Sequence, residues 1–297
     1  MDAAKVIVTI VTILSTIFNA LALFNLCKKR RKTNYIFFCI FLSVSDLLQT
    51  LLGYLPAIFL KKRMENATKW CQISAFFVAF PSFTSIALLT AISFIKAYLI
   101  NEHFLIGDMI YRKVVKVTIL CCWIYGLFWS TFPLIGVSSY TLESTKARCS
   151  IKWYTNTNTE KLYLILLLVF CYTIPVSIVL ASTMISARFV RSSFKISSSS
   201  LGMGESFVKI FKLREAKVKF SLTLMCLSFI MFWTPYAIIG LLSGFARVKH
   251  PKWLLETAAL FAKLSAMVNP LLYWQKEDFK KKVRKAFLVF RTYVFYS

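Results

Sequence analysis

The stretch FAKLSAMVNPLLYW, residues 261 to 274, is apolar apart from one cation, Lys263, and an Asn-Pro pair at Asn269 and Pro270. As a helix it would cover about 20 Å at 1.5 Å per residue, two thirds of a bilayer's hydrocarbon core. A lysine inside such a span costs roughly 2.5–3.5 kcal/mol on the insertion scale, so it is either paired with an acid, snorkelling to the interface, or kept for its chemistry. Lys263 sits too far inside the run to snorkel easily.

The rest of the chain repeats the apolar character of this run. Of 297 residues, 58% are hydrophobic and only 16% charged, far more apolar surface than one soluble core requires. Runs of about 20 apolar residues fall at 6 to 27, 35 to 60, 71 to 97, 114 to 137, 161 to 187, 217 to 244 and 253 to 274. In lipid only helices and closed barrels satisfy the backbone, so these runs read as helices 1 to 7 of an all-α membrane protein. The fold class expected is a single seven-transmembrane helix bundle over residues 1–297, with a short amphipathic helix after helix 7.

Charge orients the bundle. Basic residues cluster at Lys28 to Lys32, at Arg112, Lys113 and Lys116, between Arg188 and Lys219, and from Lys276 to Lys285. The positive-inside rule places these in the cytoplasm and the amino terminus outside, a multi-pass cell-membrane protein. The net charge of +25 then belongs beside anionic inner-leaflet lipids, which makes membrane lipids the partner and leaves no case for nucleic acid.

Most of the eight cysteines, among them Cys39, Cys121, Cys122, Cys171 and Cys226, lie within the spans and read as packing. Cys71 and Cys149 alone lie at the outer face, where an oxidising medium favours a bridge pinning the second external loop to the top of helix 3. The Ser-rich segment 188–216 reads as a flexible cytoplasmic loop. Residues 276–290 place Phe279, Val283, Phe287 and Phe290 at helical spacing among lysines, an amphipathic surface helix on the inner leaflet.

Asn269-Pro270-Leu271-Leu272-Tyr273 on helix 7, Phe232-Trp233-Thr234-Pro235-Tyr236 on helix 6, Asp46 on helix 2 and Asn19 on helix 1 together resemble the rhodopsin-like class A G-protein-coupled receptors. The prolines break backbone ladders and give hinges; Asp46 and Asn269 supply polar groups between helices. Within that superfamily, FAKLSAMVNP resembles the opsins, whose seventh helix carries a lysine seven residues before the proline, the spacing of Lys263 and Pro270.

That resemblance implies retinal as cofactor, joined to Lys263 as a protonated Schiff base: apolar surroundings favour the neutral nucleophilic amine, and the iminium, once formed, needs an anion. In most opsins an acid lies six residues before the loop cysteine, and Glu143 holds that position; the counterion position of vertebrate visual pigments holds Ser74. The chain therefore resembles the non-vertebrate-visual opsins with a counterion in the second external loop. Glu256, two helical turns from Lys263 on the same face, is the rival acid. The resemblance further places pocket walls at Ala79, Tyr172, Phe229, Trp233, Tyr236 and Ala259, and switch residues at Asn269, Pro270 and Tyr273.

It frays at the cytoplasmic end of helix 3, where an acid, an arginine and an aromatic give way to Ile95-Lys96-Ala97. Opposite charges survive as Lys96 and Glu215, a simplified inactive-state latch. The function implied is a light-sensing receptor and not an enzyme, with a heterotrimeric G protein as partner and, by the same resemblance, arrestin and a receptor kinase. Two alternatives stand beside it. One is a retinal photoisomerase-type opsin with little signalling, and the other a chemosensory class A receptor in which Lys263 is incidental.

Overall fold

A computed structural model describes residues 3–29, 34–56, 68–98, 108–143, 148–197, 203–245 and 250–273. In chain order these form α1 (Ala3–Cys27), α2 (Asn34–Leu48, continued by a π-helical segment, Gln49–Tyr54), α3 (Lys69–Tyr98) and α4 (Asp108–Thr131). Strands β1 (Tyr140–Leu142) and β2 (Cys149–Ile151) follow, then α5, which runs Asn158–Leu168, through a π segment Val169–Thr173, and on through Ile174–Ser197. The long α6 (Met203–Phe245) and α7 (Lys252–Tyr273) complete the bundle.

Six of these helices are long and apolar enough to cross a membrane by length and composition. The seventh, α7, carries Glu256, Lys263 and Asn269 among its apolar residues and packs along both α6 and α1. The face each helix turns outward is apolar. On α1, Ile10, Ile13, Ile17, Leu21 and Phe24 are exposed at helical spacing, while Val11, Ser15, Asn19, Ala22 and Leu26 are buried on the opposite stripe. An apolar exterior over a partly polar interior is what lipid as solvent selects.

Polar side chains join the helices across that interior. The Asn19 amide on α1 donates to the Ala266 carbonyl on α7 at 2.8 Å, and the Asn269 amide donates to Asp46 on α2 at 3.0 Å. Ser85 on α3 donates to the other Asp46 oxygen at 3.3 Å, and Ser45 donates to the Pro81 carbonyl at 2.8 Å. Below this level Phe38, Leu42, Leu88, Leu89, Ile92, Val115, Ile119, Met225 and Phe229 form the largest apolar cluster. Close approach of α3 and α4 depends on Gly126, where a Cβ would stand 2.8 Å from the Phe80 carbonyl oxygen.

Two boundaries differ from the sequence reading. The fourth run, expected to span 114 to 137, is helical only to Thr131 and starts at Asp108. Pro133 disfavours helical backbone at the residue before it, and Gly136 at φ 89° completes a turn into β1. The segment 188–216, read as a flexible loop, is mostly helix instead: α5 continues to Ser197 and α6 begins at Met203. The Lys, Arg, Glu, Leu and Phe residues flanking the serine tract sustain a helix once a long apolar span has nucleated it. The amphipathic helix expected over 276–290 lies outside the described residues.

Candidate functional site

The two short strands form an antiparallel pair with Leu142 opposite Cys149, and Cys149 is bonded to Cys71 at the start of α3 with a Cα separation of 5.3 Å. The next residues outward are therefore also partners. Glu143 donates its backbone N–H to the Arg148 carbonyl at 2.9 Å, and their side chains meet in a two-pronged ion pair, Nε to Oε2 and Nη2 to Oε1, each 2.7 Å. Both side chains are largely enclosed. Burial opposes the charge on Arg148, but the Glu143 carboxylate beside it outweighs that effect and holds the guanidinium above its ordinary range.

Beneath this pair lies Tyr54, the last residue of the π segment of α2, buried at 4% exposure. Its hydroxyl accepts from Gln49 Nε2 at 3.0 Å, and Gln49 donates again to Ser82 on α3 at 2.8 Å. The Arg148 guanidinium carbon lies 5.4 Å from the centre of the Tyr54 ring, and Lys263 Nζ lies 5.3 Å from the same centre. Both distances fall within cation–π reach. Lys263 is buried at 6% exposure, and the charges that act on it are those of Arg148 and Glu143. Among the described residues no carboxylate forms an ion pair with it.

The aromatic wall comes from α6. Trp233 donates its indole N–H to Ser265 on α7 at 2.9 Å, stacks on Phe229 with centroids 5.6 Å apart, and meets Tyr236 edge to face at 6.2 Å. The Tyr236 hydroxyl accepts from the Trp153 indole at 3.2 Å, tying α6 to the chain just beyond β2, and the Trp153 ring lies against Gly240. Tyr172, in the π segment of α5, shares a short hydrogen bond with Thr234 at 2.5 Å. Ala79 on α3 is buried beside Cys71, Ala75, Tyr140 and Cys149, and Ala259 is buried on α7.

The residues read from the sequence thus divide. Lys263, Glu143, Trp233 and Tyr236 converge on one region with the Cys71–Cys149 bridge at its roof. Phe229 reaches it through Trp233 but belongs to the lower cluster, and Tyr172 connects only by way of Thr234. Ser74 turns back to the Cys71 carbonyl at 2.8 Å, and Glu256 is half-buried two helical turns from Lys263 along α7. Asn269 and Pro270 lie in α7 at the Asp46 level, while the side chains of Lys96, Glu215 and Tyr273 lie outside the described residues. Tyr54 and Arg148 are the members that sequence reading missed. The available signal was the pairing of YTL with CSI, which sets Glu143 opposite Arg148.

A family model for seven-transmembrane receptors of the rhodopsin family matches residues 18–273. A G0-coupled rhodopsin of Mizuhopecten yessoensis is 30% identical over 275 residues, covering 90% of this chain and 67% of that protein. The chain belongs to the opsins of the rhodopsin family. A melanopsin of Rutilus rutilus is 28% identical to this opsin over 275 residues, 90% of the chain and 54% of the melanopsin, so the chain spans only about half the length of that relative. The crystal structure of squid rhodopsin superposes with a TM-score of 0.83 at 20% identity, covering 98% of the opsin and 86% of that chain, a likeness of fold.

Proposed function

We propose that this opsin is a light-sensing receptor that carries retinal on Lys263 and passes a change of shape to a heterotrimeric G protein. The observation that carries this reading is the burial of an amine on α7 that, among the described residues, no carboxylate neutralises directly, roofed by a disulfide-anchored strand pair and walled by Trp233 and Tyr236. These residues fit the group: a primary amine without a direct ion pair is free to condense with an aldehyde, and aromatic and alanine walls suit a flat polyene. Retinal, when bound there, supplies the light absorption and the change of length.

The chain's own residues do the rest. Lys263 fixes the ligand's position, Glu143 is the nearest carboxylate in the roof, and Ser74 is not available as a substitute. Trp233 joins α6 to α7 through Ser265, and each of these helices contains a proline, Pro235 and Pro270. Pressure on the indole therefore strains a bond between two hinged helices. Lys96 and Glu215 form the proposed latch at the inner end. Arrestin, a receptor kinase and an outward amino terminus complete the reading, and all rest on the resemblance and the charge distribution.

The test uses purified full-length protein with 11-cis retinal in lipid nanodiscs. Light is expected to raise nucleotide exchange on at least one G-protein class tenfold or more, and Glu215→Gln is expected to raise exchange in the dark. Retinal that binds and isomerises while exchange stays flat with every class would favour the second reading, a photoisomerase. That reading draws on the loss of the acid and arginine at Ile95 and Lys96.

A further inference from the structure

Glu143 does not face Lys263 alone. Its two oxygens are both taken by the Arg148 fork at 2.7 Å, whereas Lys263 Nζ lies 5.3 Å from the centre of the Tyr54 ring, which Arg148 also contacts. One carboxylate thus serves Arg148, whose charge is permanent, and the Lys263 nitrogen when it carries a proton, and the permanent cation holds it. Arg148 and Lys263 each lie about 5 Å from the Tyr54 ring centre, which bounds their separation at about 11 Å. Tyr54 from α2 lies against Lys263 as a phenol, and Glu256, two helical turns further along α7, is the other carboxylate on that helix; neither forms an ion pair with Lys263 among the described residues.

We infer that Arg148 is a tuning residue of this site: by occupying Glu143 it limits the negative charge available at Lys263, and so sets how tightly the Lys263 nitrogen holds its proton and where a bound chromophore absorbs. This deepens the proposed retinal-carrying role and rests on it. A guanidinium keeps its charge at every physiological pH, so Arg148 cannot step aside as a histidine could. Its planar fork matches the carboxylate, which explains why Glu143 turns to Arg148 and not down toward α7. The strand pairing of Glu143 with Arg148 fixes both backbones, so the competition is built into the roof.

The size of the effect follows from charge and distance. A unit charge at most about 11 Å away, at an effective dielectric near 20, changes proton affinity by about tenfold or more, at least one pH unit. Freeing Glu143 from its fork adds to that in the same direction, since the carboxylate can then turn toward Lys263.

The experiment reconstitutes full-length protein with 11-cis retinal and first traps the linkage with borohydride, locating it on Lys263 by mass spectrometry. A failed trap refutes the carrier role itself, which separates that failure from this one. With the linkage trapped, Arg148→Gln is expected to raise by one unit or more the pH at which half of the visible absorbance passes to the near ultraviolet. Arg148→Lys keeps the charge but loses the fork, so it should move the midpoint up by less than Arg148→Gln does, and Glu143→Gln should move the midpoint down. In protein without retinal, labelling of Lys263 by a small amine-selective anhydride at neutral pH should slow threefold or more in Arg148→Gln. Arg148→Met, close in volume, serves the same comparison if the glutamine variant fails to fold. An unmoved midpoint together with unmoved labelling overturns the inference.

Discussion

Replacement of Lys263 by alanine is expected to abolish the visible absorption band of the reconstituted protein and to leave no retinal trapped by borohydride. Among the described residues Lys263 is the one lysine buried inside the bundle, so none of the others there offers a second amine at the position. The loss should exceed a hundredfold in trapped chromophore, since it removes the bond-forming atom and not a contact. The same change should make the empty protein no less stable. A buried lysine costs roughly 2.5–3.5 kcal/mol in a span, and the alanine leaves that cost out while adding a cavity that offsets part of the gain. A thermal midpoint equal to or above that of the wild type, with the band gone, is the combined result that marks a residue kept for chemistry. A band that persists in Lys263→Ala would place the linkage elsewhere and return Lys263 to an incidental role.

Cys149→Ser is expected to produce the largest loss of stability. The bridge to Cys71 closes 78 residues of chain, for which loop-closure entropy gives about 4.5 kcal/mol. Other contacts of the roof are individually weaker: the Tyr140 hydroxyl donating to the Ser130 carbonyl at 2.8 Å, the Trp153 to Tyr236 hydrogen bond at 3.2 Å and the Lys152 to Glu160 pair at 2.7 Å, each contributing about 1 kcal/mol. With the bridge gone, β2 is released from α3, and Glu143 and Arg148 lose their fixed placement above Tyr54. Thermal unfolding of the purified variant should shift down by several degrees, and its visible band, if retinal still binds, should broaden. A variant with an unchanged midpoint and spectrum would show that the strand pair alone holds the roof.

Much of this organisation was legible beforehand because lipid imposes simple rules. Apolar runs of fixed length gave the helices, and the lysine seven residues before Pro270 drew attention to α7 without any coordinates. Helix ends were read less well. Hydropathy carried the fourth helix past Thr131 since Phe132, Leu134 and Ile135 are apolar, although Pro133 stops the backbone there. The serine tract near 197 likewise suggested a loop over residues that α5 and α6 hold as helix, to Ser197 and from Met203. The site was half legible. Glu143 is legible from its distance to Cys149, but Arg148 is not, because nothing in hydropathy reveals a cross-strand pair. Tyr54 was invisible for a different reason: a π turn changes which residue faces inward, and periodicity of 3.6 assigns the face wrongly beyond it.

That π segment has a further consequence. On one side of it, α2 presents Asp46 to Asn269 and Ser85; at its far end it presents Tyr54 to Arg148 and Lys263. Adding or deleting one residue between Gln49 and Tyr54 would rotate one of these ends against the other by about 100°. Either the hydrogen-bonded interior or the roof contact would then be lost, whichever end kept its packing. The number of residues between Asp46 and Tyr54 is therefore as constrained as their identities. Length variation along this helix should be tolerated at its ends and rejected at its middle.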